Sequence, residues 1–166
     1  MNGHQLRPRF FSAGSDYRAD DASMLDDALD TALRHSSAVM GNVQLMDASV
    51  EGLRIVAQRG FHDPFLTHFD VVRDRSSACG RALLTGVPTM IDDVATSRVF
   101  AGTEGREVML EAGALAVQSM PMLDKGGRPL GVLSLHYGEP HRISGTDQRL
   151  MLAVAKRAGC LLQNCL

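Results

Sequence analysis

The sequence predicts an α+β fold in which one antiparallel β-sheet packs against helices. Two β-hairpin patterns, each a pair of β-prone segments joined by a polar turn, lie within residues 42–58 and 114–137. The helical segments precede, separate and follow these hairpins. Because strands and helices are segregated along the chain, the sheet is expected to be antiparallel. A length of 166 residues fits one compact domain with its own core.

Composition indicates a soluble globular protein, with 45% hydrophobic residues, 22% charged residues and a formal net charge of −2. This charge gives no reason to expect a nucleic acid or an anionic membrane as partner. There is no secretory leader and no apolar run long enough to cross a bilayer, so we expect a cytoplasmic protein. Three cysteines, Cys79, Cys160 and Cys165, make a poor disulfide framework and are expected to be reduced.

The first element is predicted to be an amphipathic helix. Residues 1–19 lack periodicity and are expected to form a flexible arm, with a single domain over 20–166. From Asp20, aspartates mark one face and the first turn, and the apolar residues recur at helical spacing: Met24, Leu25, Ala28, Leu29, Ala32 and Leu33. Gly41 is expected to follow the end of this helix.

A hairpin and an aromatic segment follow. Asn42–Asp47 alternates polar and apolar residues like a half-buried strand, and Leu53–Gln58 is expected to return antiparallel to it. Between Gly60 and Val72 the chain concentrates aromatic residues, including Phe61, Phe65 and Phe69. Two interpretations are equally favoured, a short helix packed beside the core and a lid over a small-molecule cavity.

Residues 76–93 predict a short helix, a turn and a strand. Ser76 or Ser77 is suited to cap the helix and Gly86 to end it, and Thr89–Ile91 is a brief β-prone run before two carboxylates. The next segment, 97–102, is irregular and could form a cavity wall. Glu104–Ala112 is expected to be a helix that Gly113 ends.

The last third predicts a second hairpin and a long terminal helix. Ala114–Leu123 and Leu130–Tyr137 flank a glycine turn, and Pro121 should occupy an edge position or a bulge because it cannot donate a ladder hydrogen bond. Ser144 is placed to cap the final helix. Its core stripe is expected to be Leu150, Val154, Ala158, Leu161 and Cys165. An adjacent apolar strip favours a homodimer seam formed by Met151, Ala155, Ala158 and Leu162.

In this order of elements the chain resembles a GAF domain, the small-molecule sensory module of bacterial sensor kinases and related regulators. The resemblance covers about Asp20 to Cys165 and rests on short motifs in the family's order: Gln44-Leu45, Val56–Phe61, Cys79–Ala82, Asp92–Val94, Ala112-Gly113, Gln118–Pro121 and Gly131–Ser134. It implies an antiparallel sheet of about six strands with both terminal helices on one face. On the other face it implies short helices and loops over a ligand cavity.

Candidate ligand-binding residues follow from this arrangement. In the last strand Val132, Ser134 and His136 share one face, and if that face lines the cavity, Ser134 and His136 could orient a ligand with help from the partner strand. Asp92 is either a cavity acceptor or, more simply, a cap for the segment after its strand. The complete candidate set is Phe65, Phe69, Cys79, Asp92, Phe100, Gln118, Met120, Ser134 and His136. No metal site or catalytic residue is predicted, and the cofactor is unknown.

Three functions are carried forward from the sequence. The first is a non-catalytic sensor that binds an unidentified small molecule reversibly and signals through its terminal helices to an attached or separate output domain. The second is a structural dimerisation module without a ligand. The third, less favoured, is a thiol enzyme related to free methionine-R-sulfoxide reductase, because 94–105 lacks the cysteine that such enzymes carry there. The chain is expected to be either a free-standing sensor or a fragment of a larger protein.

Overall fold

A computed structural model describes residues 19–164, whose strands form one six-stranded antiparallel sheet. The strands are β1 (Met40–Asp47), β2 (Gly52–Arg59), β3 (Val71–Val72), β4 (Thr89–Ile91), β5 (Ala116–Leu123) and β6 (Pro129–Tyr137). The helices are α1 (Ala19–Arg34), α2 (Phe65–His68), α3 (Ala78–Thr85), α4 (Glu104–Glu111) and α5 (Gly145–Asn164). The strand order is β3-β2-β1-β6-β5-β4. The predicted α+β class is confirmed. The predicted arm lies outside the described residues, apart from its last residue, which begins α1.

The sheet is covered on both faces. On one face, called the helix face here, α1 and α5 pack against apolar side chains that include Leu45 and Leu133. On the other, called the cavity face, α2, α3 and α4 pack against side chains that include Ile55 and Val132. This is the layer arrangement expected from the sequence, with both terminal helices on one side.

Local sequence signals place the helix ends as predicted. Ser77 Oγ accepts the Gly80 N–H at 3.2 Å at the start of α3, and Gly86 ends that helix in the left-handed region at φ 68°. At the start of α5, Ser144 Oγ accepts the Asp147 N–H at 3.1 Å. These local signals therefore fix both ends of α3 and the beginning of α5.

Gly41 does not follow the end of the first helix. Helix α1 ends at Arg34, and Gly41 lies inside β1. A Cβ at this position would lie 2.8 Å from Leu29 Cδ1 and 3.1 Å from the Ser134 carbonyl oxygen. The glycine is therefore needed for the close approach of α1 to the sheet, and its resemblance to a helix stop signal was misleading.

Strand β1 is not half-buried. Its polar residues Asn42 and Gln44 are only 3% and 1% exposed, because the cavity face on which they lie is covered as completely as the helix face. The expected alternation of polar and apolar positions is correct. The inference that the polar face meets solvent was wrong.

The two apolar strips of α5 exchange the roles predicted for them. The strip that packs on the sheet is Met151, Ala155, Ala158 and Leu162, each at most 2% exposed. Leu150, Val154 and Leu161, predicted as the core stripe, are only half-buried on the flank of the helix, and Cys165 lies outside the described residues. The strip proposed as a dimer seam is therefore core.

Pro121 occupies a position that suits its missing N–H. It pairs with Val132 of β6, but the ladder between β4 and β5 ends at Ser119, so no described strand pairs with β5 on that side at Pro121. The predicted edge position is confirmed.

An arginine fork ties α1 to the end of β2. Arg59 lies 3.0 Å from an Asp26 carboxylate oxygen and 2.9 Å from one of Asp30. Hydrogen bonds from Arg59 to these two carboxylates raise the pKa of its guanidinium against the opposing effect of burial. Helix α1 is thus held by apolar packing along its length and by this ionic contact at one strand end. Over residues 19–164, none of the helices has the length and apolarity needed to cross a membrane.

The close contact between α5 and the second hairpin gives a stability prediction. A Cβ at Gly159 would lie 2.4 Å from the Leu123 carbonyl oxygen, a backbone atom that cannot rotate away. We expect Gly159→Ala to lower the free energy of unfolding by about 1–3 kcal/mol, despite the higher helix propensity of alanine. Chemical denaturation measures this change.

The matched control lies in the same helix. Gly145→Ala would place a Cβ 3.3 Å from the flexible end of Arg149, so it should leave stability nearly unchanged. Equal effects of the two substitutions would contradict the packing described here.

Candidate functional site

A small cavity lies between the cavity face of the sheet and the helices that cover it. Its volume is about 10 Å³, counted as space open to the centre of a water molecule, which is enough for about one water. The polar lining is Asn42, Gln44, Ser77, Ser119, Ser134 and His136. The apolar lining is Phe65, Phe69, Ala78, Cys79, Phe100, Met109 and Val117. The cavity is therefore largely filled by the protein's own side chains.

The floor of the cavity is a polar row that crosses three adjacent strands. Asn42 of β1 is opposite Ser134 of β6, and Ser134 is in turn opposite Ser119 of β5. Gln44 and His136 lie two residues further along β1 and β6, in opposite directions from Asn42 and Ser134. All five side chains are at most 4% exposed. Such a concentration of buried polar groups on a sheet face is uncommon, because each must be desolvated on folding.

Several of these polar atoms have no hydrogen-bond partner among the described residues. The two serine hydroxyls satisfy each other at 2.7 Å, and Gln44 Nε2 donates to the Phe69 carbonyl at 3.3 Å. Asn42 Oδ1, Gln44 Oε1 and both ring nitrogens of His136 are buried without a partner in residues 19–164. Each such group costs about 1–3 kcal/mol when left unsatisfied. The floor thus holds several buried polar atoms whose hydrogen-bonding capacity is unused within residues 19–164.

The aromatic segment predicted as packing or lid forms the cover. The Phe61 and Phe65 rings stack with centroids 3.7 Å apart, and Phe69 follows at 4.7 Å from Phe65. The edge of the stack meets His136, whose ring centroid is 4.9 Å from that of Phe61 and 5.7 Å from that of Phe65. All three phenylalanines belong to the core cluster of this face. The segment therefore packs as part of the core, and its opening as a lid stays a prediction.

His136 is uncharged in this environment. Burial lowers its pKa to about 3, because a charged imidazolium would lose its hydration among the phenylalanine rings. A neutral imidazole offers one N–H donor and one acceptor nitrogen. At neutral pH the His136 ring can therefore both donate one hydrogen bond and accept one.

Cys79 is a buried, protonated thiol. Burial raises its pKa, and this effect outweighs the opposing hydrogen bond from Ser77, whose Oγ lies 3.3 Å from the sulfur. A helix N-terminus favours a thiolate, but here the exclusion of water has the larger effect and raises the pKa of the Cys79 thiol. A thiol in this state is a poor nucleophile.

The structure gathers six of the nine predicted site residues around the cavity: Phe65, Phe69, Cys79, Phe100, Ser134 and His136. Whether they bind a ligand stays a prediction. Four polar cavity residues were not predicted: Asn42, Gln44, Ser77 and Ser119. The alternation in β1 was the available signal for Asn42 and Gln44, but it was taken to indicate a solvent-facing surface.

Gln118 and Met120 do not line the cavity. They are opposite Leu135 and Leu133 of β6, so they share the helix face with those leucines. Met120 packs in the core beneath α1 and α5, and Gln118 Nε2 donates to Tyr137 Oη at 2.6 Å. Their expected help to Ser134 and His136 is therefore wrong, because the register places Ser119 next to Ser134.

Asp92 is exposed and lies away from the cavity. Its backbone carbonyl accepts the His141 N–H at 2.8 Å, which fastens the segment before α5. The capping role suggested for Asp92 belongs to its neighbour Asp93, whose carboxylate accepts the Ala95 N–H at 3.0 Å. Within residues 19–164, no group of three His, Cys, Asp or Glu side chains is placed to hold a metal ion.

Comparison with known proteins identifies the fold. The sequence model of the GAF domain family matches residues 19–163. No curated protein matches the chain. A domain of a two-component sensor histidine kinase protein from Sinorhizobium meliloti is similar, with a TM-score of 0.71 and 21% identity over 91% of this chain and 94% of that one.

Two further structures show the range of the fold. The GAF domain region of a membrane protein from Geobacter sulfurreducens has a TM-score of 0.74 and 19% identity over 87% of this chain and 94% of that one. A type II free methionine-R-sulfoxide reductase from Thermoplasma acidophilum has a TM-score of 0.69 and 13% identity over 89% of this chain and 95% of that one. At these identities the likeness establishes the fold alone.

The lowered pKa of His136 predicts how stability depends on pH. In the unfolded chain the imidazole pKa is near 6.5, so between about pH 6.5 and 3 the unfolded chain binds a proton that the folded chain excludes. The stability is therefore fully present above pH 6.5 and falls as the pH drops, by up to about 1.4 kcal/mol per pH unit. Urea denaturation at several pH values measures this slope.

His136→Phe supplies the comparison. The variant keeps a buried ring but cannot bind the proton, so its stability should depend less on pH between about 4.5 and 6.5. Identical slopes in the two proteins would contradict a buried neutral His136.

The two described cysteines should differ in reactivity. Cys160 is exposed on α5, whereas Cys79 is buried with a raised pKa. In a Cys165→Ser variant, we expect Ellman's reagent to modify Cys160 in the native protein and Cys79 only after denaturation. Peptide mass mapping identifies which thiols have reacted. Rapid modification of both Cys79 and Cys160 in the folded protein would show that the cavity around Cys79 is open to solvent.

Proposed function

The chain belongs to the GAF domain family, and on that basis we propose that it is a non-catalytic sensory domain. It binds a small molecule reversibly in the cavity between the sheet and the aromatic segment. It transmits occupancy through the terminal helices α1 and α5. The observation that carries this proposal is the set of buried polar atoms on Asn42, Gln44 and His136, unpartnered within residues 19–164, in one enclosed place.

Binding a molecule larger than water requires the cover to move. The cavity of about 10 Å³ has Phe65 and Phe69 in its wall, so a ligand enters when these rings swing outward from the sheet. The cover is suited to this, since α2 has only four residues and no side chain caps its beginning. New hydrogen bonds between the ligand and the floor offset the aromatic packing that opening removes.

The central strands connect the cavity to the terminal helices. In β6, Ser134 faces the cavity while Leu133 and Leu135 pack beneath α1 and α5. In β1, Gln44 faces the cavity and Leu45 the helices. A shift of either strand on ligand binding therefore changes the packing of both terminal helices, which are the elements suited to pass the change on.

The proposal extends to partners. An output domain, attached or separate, receives the signal, and a second copy pairs through the outer surfaces of α1 and α5. Leu152 is 54% exposed on α5. It lies beside the exposed basic residues Lys156 and Arg157, whereas the outer surface of α1 carries Asp27. Opposite charges on the two helices favour pairing between copies.

We place the protein in the cytoplasm, without nucleic acid or membrane as partner.

A second function is favoured by the small size of the cavity. If the side chains that fill it never move, the domain is a structural dimerisation module without a ligand. Native mass spectrometry of the full chain purified without added ligand separates the two. A retained small molecule supports the sensor, and a dimer that carries none and is not stabilised by any metabolite supports the module.

A thiol enzyme is less favoured. The cavity thiol Cys79 is buried with a raised pKa, and the other described cysteine, Cys160, is exposed on α5, which packs on the opposite face of the sheet. The two sulfurs are therefore placed on opposite sides of the β-layer, where they cannot exchange a disulfide. Full methionine sulfoxide reductase activity that is lost in Cys79→Ser would overturn the non-catalytic assignment.

Two buried glutamines give a matched test of the cavity. Gln44→Met removes from the cavity an acceptor that has no partner among the described residues, and Gln118→Met makes the same change on the helix face. We expect a metabolite that raises the melting temperature of the parent protein to stabilise Gln118→Met equally and Gln44→Met much less. Differential scanning fluorimetry measures this. Equal stabilisation of all three proteins would place the ligand elsewhere.

A further inference from the structure

The cavity combines hydrogen-bonding atoms with an absence of charge, and this combination limits what it can bind. None of the described residues that line it carries a charged side chain. An ion transferred into such a place loses its hydration and finds no counter-charge, which costs far more than its hydrogen bonds return. The lining therefore selects against carboxylates, phosphates and ammonium groups.

The orientation of Gln44 fixes one part of the ligand. Its amide nitrogen donates to the Phe69 carbonyl at 3.3 Å, which leaves Oε1 as the atom that needs a donor. Asn42 Oδ1 lies on the same strand and the same face and also needs one. Two acceptors on one side of the cavity require two donors on the ligand.

His136 fixes the opposite end. Gln44 is opposite Val132, and His136 is opposite Met40, so four residues separate the two positions along the paired strands. At about 3.4 Å per residue this separation is about 14 Å between backbone positions. The atoms left without a partner are thus spread along the row, on Gln44 and Asn42 towards one end and on His136 towards the other. A molecule that spans the row once the cover has moved meets both ends.

The start of α3 does not provide an anion site. Helix N-termini favour anions because their first N–H groups are free. Here Ser77 Oγ takes the Gly80 N–H at 3.2 Å, and the Ser77 carbonyl takes the Arg81 N–H at 3.0 Å. The Cys79 thiol occupies the side of this terminus that faces the cavity. The Ser77 hydroxyl and the Cys79 thiol at this terminus are both neutral, so neither supplies the counter-charge that a buried anion needs.

From these observations we infer that the cavity takes an uncharged, flat molecule of the carboxamide or cyclic imide type. Its N–H donors bind Asn42 and Gln44, its other end meets the imidazole of His136, and its flat face lies against Phe65 and Phe69. The inference rests on the proposed ligand-binding function and names the chemical class. When the cover opens, aromatic walls on one side and a sheet on the other form a slot suited to a flat ring.

The test uses isosteric probes that differ only in charge and donors. Benzamide has two N–H donors and no charge, acetophenone keeps the shape and carbonyl without the donors, and benzoate keeps the shape with a negative charge. Nicotinamide, 3-acetylpyridine and nicotinate repeat the series with a second acceptor, the ring nitrogen meta to the carbonyl group. Binding to the full chain is followed through the ring nitrogen signals of ¹⁵N-labelled histidine, and those of His136 are identified among the six histidines by their absence in His136→Phe.

We expect the two carboxamides to shift the His136 ring signals and to bind at least about tenfold more tightly than the ketone or carboxylate of the same shape. Gln44→Met and Asn42→Leu should each remove this preference, and Gln118→Met should keep it. Equal or tighter binding of the carboxylates through His136 would overturn the inferred ligand class and leave the sensory proposal standing.

A complete lack of probe binding would test the ligand class separately from the ligand-binding function. If none of the six probes moves the His136 signals, the carboxamide class is overturned. If native mass spectrometry of the same preparation then shows a retained small molecule, the cavity binds a ligand of another class. If it shows none, the ligand-binding function is overturned as well.

Discussion

The structure depends on the burial of both faces of one antiparallel sheet. Apart from the end of β1, where Met46 is 37% exposed, nearly every residue of the central strands enters either the layer beneath α1 and α5 or the layer beneath α2, α3 and α4. On the helix face this requirement is met with apolar side chains such as Leu133 and Leu135. On the cavity face the same strands carry Ser134 and His136, which an ordinary core would exclude. The polar row is therefore the feature that distinguishes this sheet from a purely structural one.

The sequence predicted the elements and their layers well. Helix caps at Ser77 and Ser144, the glycine that ends α3 and the two hairpin turns are all local signals, so they can be identified without knowledge of tertiary structure. The polar face of β6 was also correctly identified, since alternation within one strand is local information. In each of these cases a few neighbouring residues determine the local structure.

The errors concern relations between elements. Gln118 and Met120 were assigned to the wrong face because the phase of β5 relative to β6 is set by their register, which pairs Ser119 with Ser134. Both apolar strips of α5 repeat at helical spacing, and only the packed structure, in which Gly159 lies close to Leu123, shows which one meets the sheet. Gly41 was taken for a stop signal because nothing local distinguishes that role from close contact with Leu29. Register and helix rotation are properties of the assembled fold.

The position of Arg59 in the chain connects the aromatic cover of the cavity with helix α1. It holds α1 through Asp26 and Asp30, and the aromatic segment begins at Phe61, only two residues later. One route from the cover of the cavity to a terminal helix therefore follows two residues of backbone to Arg59 and then its ionic contact with α1, without crossing the β-layer. If the cover opens as proposed, a displacement of Phe61 pulls on the backbone that carries this arginine, and the guanidinium would then link the two sides of the molecule mechanically.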